Sequence, residues 1–274
     1  MAIEAMETGL HVIVEKPAGV YTKQVEEMNA VAAKHPELVY CMDFNQRTNP
    51  LYKKVKDLID SGDLGEMTRV IWIVTDWYRS QSYYDQGGWR ATWDGEGGGV
   101  LLNQNPHNLD LWQWMCGIPK RVKSQVYYGK HRNIEVEDDL YALVEYENGA
   151  TGCYITSVGD APGTNRLEID GTNGKIVVEN NELTFYRLRI PEPEFNATYK
   201  GGLGKPEVWE CKIPIKGTYT SHPGIINNFC DCILKGAKPI APGAEGIRGL
   251  QISNAIHLSS WLNGEWVDIP VNGD

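Results

Sequence analysis

The chain has 274 residues, 42% of them hydrophobic, and a formal net charge of −10. This length suffices for two domains or one large one. The acidic balance offers no basic stripe to neutralise phosphates, so it excludes nucleic acid and anionic membranes as the main partners. The apolar runs are far shorter than a bilayer span, and the N-terminus lacks the basic region of a signal peptide.

The six cysteines are scattered along the chain and form no CxxC pair. This spacing does not suit a zinc site, so we expect no metal. Reduced, mostly buried thiols are typical of cytoplasmic proteins, and we therefore expect a cytoplasmic location.

The first part of the chain alternates between predicted strands and helices. Two short apolar runs, at 10–14 and 38–42, are typical of parallel strands covered on both faces. A helix is predicted after each run, one capped by Thr22 and one starting at Pro50 with Asn49 as its N-cap. This alternation is typical of α/β proteins.

After residue 65 the pattern changes to longer strands. A β-branched and aromatic strand is predicted at 67–78, a helix at 97–116 and mostly strands at 121–213. The remaining predicted elements are helices near 222–235 and 244–262 and a final strand at 266–269. The fold class is therefore α/β plus α+β, with an open, mainly antiparallel sheet and flanking helices.

The tripeptide Glu15-Lys16-Pro17 follows the first predicted strand directly. Ligands in open α/β sheets bind outside the carboxyl ends of parallel strands. A lysine half-buried at such an end can have its pKa lowered enough to exchange protons near neutrality. The alternative is a surface lysine before a turn proline. We also predict a cis peptide at Lys16–Pro17, since cis bonds are essentially confined to prolines.

The second motif is GGGVLLNQNPHNLD at 97–110. If a helix begins at its glycines, Asn103 and His107 lie four residues apart on one face, with Asp110 adjacent. The helix N-terminus would then favour a polar or anionic partner. The pKa of histidine suits proton transfer near pH 7. The alternative is a buried histidine that is hydrogen-bonded within the helix, which Pro106 would kink.

Together, EKP and the 97–110 motif resemble the glucose–fructose oxidoreductase/inositol dehydrogenase family (Gfo/Idh/MocA), whose members move hydride between NAD(P) and sugars or polyols. The resemblance implies NAD or NADP as cofactor and a carbohydrate or polyol as substrate. It implies proton transfer by Lys16 and His107, with Asn103 beside them. The family usually has an acidic residue at the position of Asn103; an amide can orient the histidine ring but adds no charge.

The resemblance extends to further candidate residues. The predicted cofactor-binding residues are Glu15, Lys16, Asn45, Trp89 and Arg90. The predicted substrate-binding residues are Arg47, Tyr83, His107 and His222. Alternatives are a loop-capping role for Asn45 and a surface cation–π pair for Trp89 and Arg90. The aromatic residues between 78 and 93 suit a sugar platform and a subunit interface equally.

No GxGxxG sequence precedes EKP. The resemblance therefore implies that roughly 80 residues of a nucleotide-binding half, at about 30 per βαβ unit, are missing. Residues 1–45 would be the remnant of a dinucleotide-binding domain, and residues 46–274 a substrate-binding and oligomerisation domain onto which the last helices fold back. We expect this chain alone to bind NAD(P) weakly and to be inactive.

Three functions remain open at this point. The favoured one is an NAD(P)-dependent oxidoreductase of a sugar, sugar derivative or cyclitol. The second is a non-catalytic sugar-binding or oligomerisation module, and the third is an NAD-dependent glycosidase. Because an open sheet has a second apolar face, we also expect a homodimer or homotetramer formed through the 121–213 sheet.

Overall fold

The computed structural model describes residues 1–271. The helices are α1 (Ala2–Glu7), α2 (Thr22–Ala32), α3 (Pro50–Asp60), α4 (Gln81–Asp85), α5 (Pro106–Cys116), α6 (Glu192–Thr198), α7 (Ser221–Lys235) and α8 (Gly246–Trp261). The strands are β1 (Val12–Val14), β2 (Tyr40–Met42), β3 (Met67–Val74), β4 (Arg121–Tyr128), β5 (Glu137–Glu145), β6 (Thr151–Ser157), β7 (Asn165–Gly171), β8 (Gly174–Glu179), β9 (Glu182–Leu188), β10 (Val208–Ile213) and β11 (Val267–Asp268).

Strands β1 and β2 form a small parallel sheet of their own. Helices α1 and α2 pack beside it, and Met6, Val25 and Met28 form a small core that includes Leu250 of α8. The C-terminal helix thus reaches back to the first part of the chain. Both strands end at the same edge, so the residues that follow Val14 and Met42 come together there.

The other nine strands form one sheet in the order β10-β9-β8-β7-β3-β6-β5-β4-β11. Strands β3 and β6 are its one parallel pair within the described residues; the other neighbours are antiparallel. The predicted fold class is confirmed. Helices α3, α5 and α8 cover one face, where Trp72, Leu140 and Tyr154 belong to a large buried core.

Several local predictions are confirmed. The Lys16–Pro17 peptide is cis. The Asn49 side chain accepts a hydrogen bond from the backbone N–H of Leu51 at 3.0 Å, so Asn49 caps α3 as expected. The six cysteines are free thiols, but only Cys41 and Cys232 of them are buried, so the expectation of mostly buried thiols is wrong.

The predicted helix at 97–116 is wrong in its first half. Residues 99–104 form turns, and α5 begins at Pro106, which is its first residue and does not kink it. Glycine is costly in a helix, and the residue before a proline avoids the α region, so the start is displaced to the proline. The strand predicted at 67–78 ends at Val74, and Tyr21 rather than Thr22 occupies the N-cap of α2.

None of the helices between residues 1 and 271 combines the length and hydropathy that a membrane span requires.

Candidate active site

The glycine run is held by a carboxylate of the protein itself. Glu137, in β5, is 1% exposed and accepts hydrogen bonds from the backbone N–H groups of Gly99, at 2.8 Å, and Leu101, at 2.9 Å. Burial raises the pKa of Glu137 to about 7. The N–H groups of the glycine run thus have an acidic partner, as expected, but this partner is the side chain of Glu137 within the protein.

The turn after the glycines brings Asn103 to Lys16. Lys16 Nζ donates to the backbone carbonyl of Asn103 at 2.7 Å. Burial lowers the pKa of Lys16, while the carboxylates of Glu15 and Glu96 act in the opposite direction. Asn103 lies outside α5, so the predicted shared helix face with His107 is wrong. Asn103 instead contacts Lys16 through its backbone and Glu96 through its side chain.

His107 is the second residue of α5 and is mostly buried. Its ring packs edge-on against Phe44, with centroids 6.4 Å apart. Burial lowers the pKa of His107 to about 4, with smaller contributions from Lys16 and His222. Its Nδ1 atom is buried and has no hydrogen-bond partner among residues 1–271. The imidazole is therefore neutral at pH 7 and able to accept a proton.

This depressed pKa predicts a pH-dependent stability. Below pH 6.5, the ordinary pKa of histidine, the unfolded chain binds a proton at His107. The folded chain does not bind this proton until the pH falls to about 4, so acid favours unfolding. Between pH 7 and pH 4 the wild type should therefore lose roughly 3 kcal/mol more stability than His107→Gln. Urea unfolding across this range measures the difference. His11→Gln, at an exposed histidine, is the control, and parallel curves for wild type and His107→Gln would contradict the prediction.

A second histidine is fixed at the ends of β1 and β2. His222 Nδ1 lies 2.8 Å from the carboxylate of Asp43, and its Nε2 lies 2.9 Å from the amide nitrogen of Asn45. The amide nitrogen can only donate, so Nε2 accepts its hydrogen bond. Nδ1 then carries the ring proton and donates a hydrogen bond to the Asp43 carboxylate. A carboxylate oxygen of Glu15 lies within 4.8 Å of His222 and Asp43. These residues therefore share one cleft with the EKP segment.

Arg47 was predicted to bind substrate, and the structure contradicts this. Its side chain is 1% exposed. The guanidinium donates to both carboxylate oxygens of Asp110, at 2.6 and 2.9 Å, and to Glu245 at 2.6 Å and the carbonyl of Ile240 at 3.2 Å. With its donors engaged inside the protein, Arg47 joins three chain segments and offers no group to a ligand.

The predicted residues Tyr83, Trp89 and Arg90 form a cluster of their own. The Arg90 guanidinium lies 4.5 Å from the Trp89 ring centroid and 4.8 Å from that of Tyr83, and it donates to the Tyr83 hydroxyl at 2.9 Å. No hydrogen bond in the described part of the chain joins these three residues to Lys16 or His107. The connection from this cluster towards the site runs through the next residue, Ala91, whose backbone N–H donates to Glu96 at 2.8 Å.

The sequence and the fold both have known relatives. A sequence profile of the GFO/IDH/MocA C-terminal domain matches residues 52–177. Levoglucosan dehydrogenase of Pseudarthrobacter phenanthrenivorans is 25% identical over 305 residues, which cover 98% of this chain and 76% of that protein. The NAD+-dependent scyllo-inositol 2-dehydrogenase of Bacillus subtilis is 27% identical over 281 residues, covering 99% and 74%.

A solved structure gives the same result for the fold. The WlbA dehydrogenase from Bordetella pertussis, in complex with NADH and UDP-GlcNAcA, matches with a TM-score of 0.80 and 25% identity, over 99% of this chain and 75% of that one. The chain belongs to the Gfo/Idh/MocA family. The three relatives named above are dehydrogenases, so the chain shares its ancestry with oxidoreductases.

Sequence analysis of this Gfo/Idh/MocA chain missed three acidic residues around the site. Glu137 is far from the glycine run in sequence and reaches it through the fold. Asp43 lies two residues before Asn45, and the fold brings His222 to it. Glu96 lies directly before the glycine run, and that position was the available signal. An acidic residue next to three glycines is free to fold back onto the loop, which is how Glu96 contacts Asn103.

Proposed function

We propose that this protein is an NAD(P)-dependent oxidoreductase of a sugar, sugar derivative or cyclitol. The observation that carries the proposal is the convergence of Lys16 and a neutral His107 at the carboxyl end of parallel strand β1, in a chain whose relatives are dehydrogenases. Open α/β sheets bind ligands at this end. The named relatives act on levoglucosan and scyllo-inositol, which supports the substrate class.

The residues present fit the nicotinamide end of such a cofactor. The side-chain carbonyl of Asn45 is buried and unpaired within residues 1–271, as is His107 Nδ1. Buried polar atoms are rarely left unpaired without a ligand or water. Lys16, Glu15 and Asn45 would hold the nicotinamide side, and bound NAD(P)+ would supply a hydride acceptor. Trp89 and Arg90 remain proposed cofactor contacts.

The chain's own residues would move the proton. In the oxidation direction the substrate O–H bond breaks and its proton passes to Lys16 Nζ or His107, while the adjacent carbon loses a hydride. Burial favours the neutral, proton-accepting form of each. It brings the pKa of Lys16 closer to neutrality, whereas a pKa of about 4 makes His107 the weaker base. Asn103 fixes Lys16 through its carbonyl. His222, with its ring oriented by Asp43 and Asn45, and Tyr83 are the proposed substrate contacts.

We retain residues 1–45 as the proposed nucleotide-binding part and residues 46–274 as the substrate-binding part. The glycine turn that normally holds a pyrophosphate is missing from the 274 residues. The few contacts named above, at about 0.5–1.5 kcal/mol each, must offset an association cost of roughly 4 kcal/mol or more. We therefore propose weak NAD(P) binding by these residues alone.

We also propose a cytoplasmic location for the protein.

The test is a hydride-transfer assay on the protein expressed from its own locus, including any in-frame codons before Met1. Formation of NADH or NADPH is followed with levoglucosan, scyllo-inositol and UDP-linked uronic acids. Reduction of cofactor by any of these supports the proposal. Sugar binding without cofactor reduction would favour the non-catalytic module, and release of an aglycone from a glycoside would favour the glycosidase.

We further propose that the protein self-associates through the uncovered face of the large sheet. Strands β3, β5 and β6 place two rows of apolar side chains there in register. Tyr141 and Leu143 are each 48% exposed. The rows are Leu143–Cys153–Ile71 and Tyr141–Ile155–Ile73, which we call the sheet-face patch. A contiguous apolar patch of this kind is typical of an interface.

A charge in the sheet-face patch should dissociate the oligomer. Leu143→Glu places an unpaired carboxylate where two copies would meet, and burying it costs more than the interface gains from one leucine. Light scattering at micromolar concentration should give a multimeric mass for wild type and a monomeric mass for Leu143→Glu. Leu234→Glu, at an exposed leucine of α7, should keep the multimeric mass. A monomeric wild type would refute the interface.

A further inference from the structure

Glu96 accepts two hydrogen bonds, and a third hydrogen bond connects its partner Asn103 to Lys16. One of its carboxylate oxygens accepts from the side-chain amide of Asn103, and the other accepts from the backbone N–H of Ala91 at 2.8 Å. The carbonyl of the same Asn103 accepts from Lys16 Nζ at 2.7 Å. Asn103 therefore connects a carboxylate on one side to an ammonium on the other.

The backbone fixes where Glu96 lies. The next residue, Gly97, has φ +80°, and a Cβ atom there would lie 2.6 Å from Val20 Cγ1. Only glycine combines this backbone conformation with so close an approach. The Glu96 segment therefore packs directly against the loop that follows Lys16.

Opposite charges complete the arrangement. The groups that face Glu96 are Lys16, Arg90 and Glu137, and those that face Lys16 are Glu15, Glu96 and His107. Burial raises the pKa of Glu96 and lowers the pKa of Lys16, and the two charges oppose both effects. Of the two carboxylates facing Lys16, Glu15 is exposed, whereas Glu96 is partly buried and held by two donors.

We propose that Glu96 is a positioning residue for Lys16: it orients Asn103 so that the Asn103 carbonyl receives Lys16, and its negative charge stabilises the Lys16 ammonium. The inference deepens the proposed function, on which the role of Lys16 in proton transfer rests. Glu96 touches neither substrate nor cofactor in this account. Together with burial and the larger effect of Glu15, its charge determines the pH at which Lys16 becomes able to accept a proton.

The test measures the titration of Lys16 directly. Acetic anhydride labels neutral amines, so labelling across a pH series, followed by mass spectrometry of the peptide, gives the Lys16 midpoint without substrate or cofactor. Glu96→Gln keeps the size and an acceptor but removes the charge, so the midpoint should fall by about one unit. Asp94→Asn, at an exposed carboxylate two residues earlier, should leave it unchanged. An unchanged midpoint in Glu96→Gln would overturn the proposal.

A charge exchange sharpens the test. In Glu96→Gln/Asn103→Asp the amide and the carboxylate trade places across the same hydrogen bond, so the negative charge returns next to Lys16. The Lys16 midpoint should return towards the wild-type value. Far-UV circular dichroism reports in every variant that the protein is folded. Failure of the folded double variant to restore the midpoint would show that Glu96 does not act through its charge.

The labelling result is separate from the proposed function. A shifted midpoint in a protein that reduces no cofactor would keep the Glu96–Lys16 coupling and reject the oxidoreductase proposal. Where activity is present, Glu96→Gln should move the acidic limb of the kcat/KM profile to lower pH, because Lys16 then loses its proton at lower pH. Activity with an unmoved acidic limb and an unmoved midpoint would reject the role of Glu96 alone.

Discussion

Replacement of Arg47 with methionine should destabilise the protein by about 3–5 kcal/mol, because it leaves a buried charge without its partner. Asp110 is 1% exposed and receives two hydrogen bonds from the Arg47 guanidinium. In the variant Gln113, at 2.9 Å, is the one side chain among residues 1–271 that still donates to that carboxylate. A loss of this size is comparable with a large part of the stability of an ordinary domain. Urea unfolding of Arg47→Met and wild type at pH 7 measures it.

Two further measurements separate the buried charge from simple loss of packing. Burial raises the pKa of Asp110 and Arg47 counteracts it, so the carboxyl of the variant should take up a proton as the pH falls. The deficit should therefore shrink between pH 7 and pH 5. Arg47→Met/Asp110→Asn removes both charges and should recover much of the stability. Arg189→Met, at an exposed ion pair with Glu207, should cost less than about 1 kcal/mol. A loss that does not depend on pH would contradict the argument.

Arg47 also shows where sequence reasoning stopped. Its predicted substrate contact came from the family resemblance, in the stretch Phe-Asn-Gln-Arg at 44–47 that follows the second predicted strand. Its true partners lie 63 and 198 residues away in the chain, and pairings at such separations depend on the whole fold. An arginine is almost never fully buried unless it is paired, so exposure is the default assumption for a single sequence. Only the tertiary structure brings Asp110 and Glu245 to it.

Local signals, in contrast, predicted most of the elements. Asn49 before Pro50 gave the start of α3, and the alternating patterns after residue 121 gave an antiparallel sheet. The error at 97–105 came from extending the periodicity of α5 backwards over glycines. Pro106 carried the correct signal, since proline is favoured at the first position of a helix. The placement of EKP at a strand end followed from the apolar run before it.

The remaining large effect concerns the proton-transfer residues. In the protein expressed from its own locus, Lys16→Met should lower kcat by about 100- to 10,000-fold, the range that positioned acid–base groups contribute. Methionine keeps the length of the side chain and removes the group that donates to the Asn103 carbonyl at 2.7 Å. Initial rates of NADH or NADPH formation with the best sugar or cyclitol substrate measure the loss. Lys23→Met, in α2, is the control for loss of a lysine as such.

The combination with His107 decides whether the two residues act on one proton. If Lys16 and His107 serve the same step, His107→Gln should also lower kcat, and the double variant should be little slower than the slower single variant, because residues that act as a unit are not additive. Independent steps would instead multiply the two losses.

The pH profile gives a second criterion. Because burial lowers the pKa of Lys16, the acidic limb of the wild-type kcat/KM profile that belongs to Lys16 should lie below pH 10.5. This limb should vanish in Lys16→Met. Full activity in Lys16→Met, with cofactor reduction intact, would remove Lys16 from the mechanism and leave His107 as the proton acceptor.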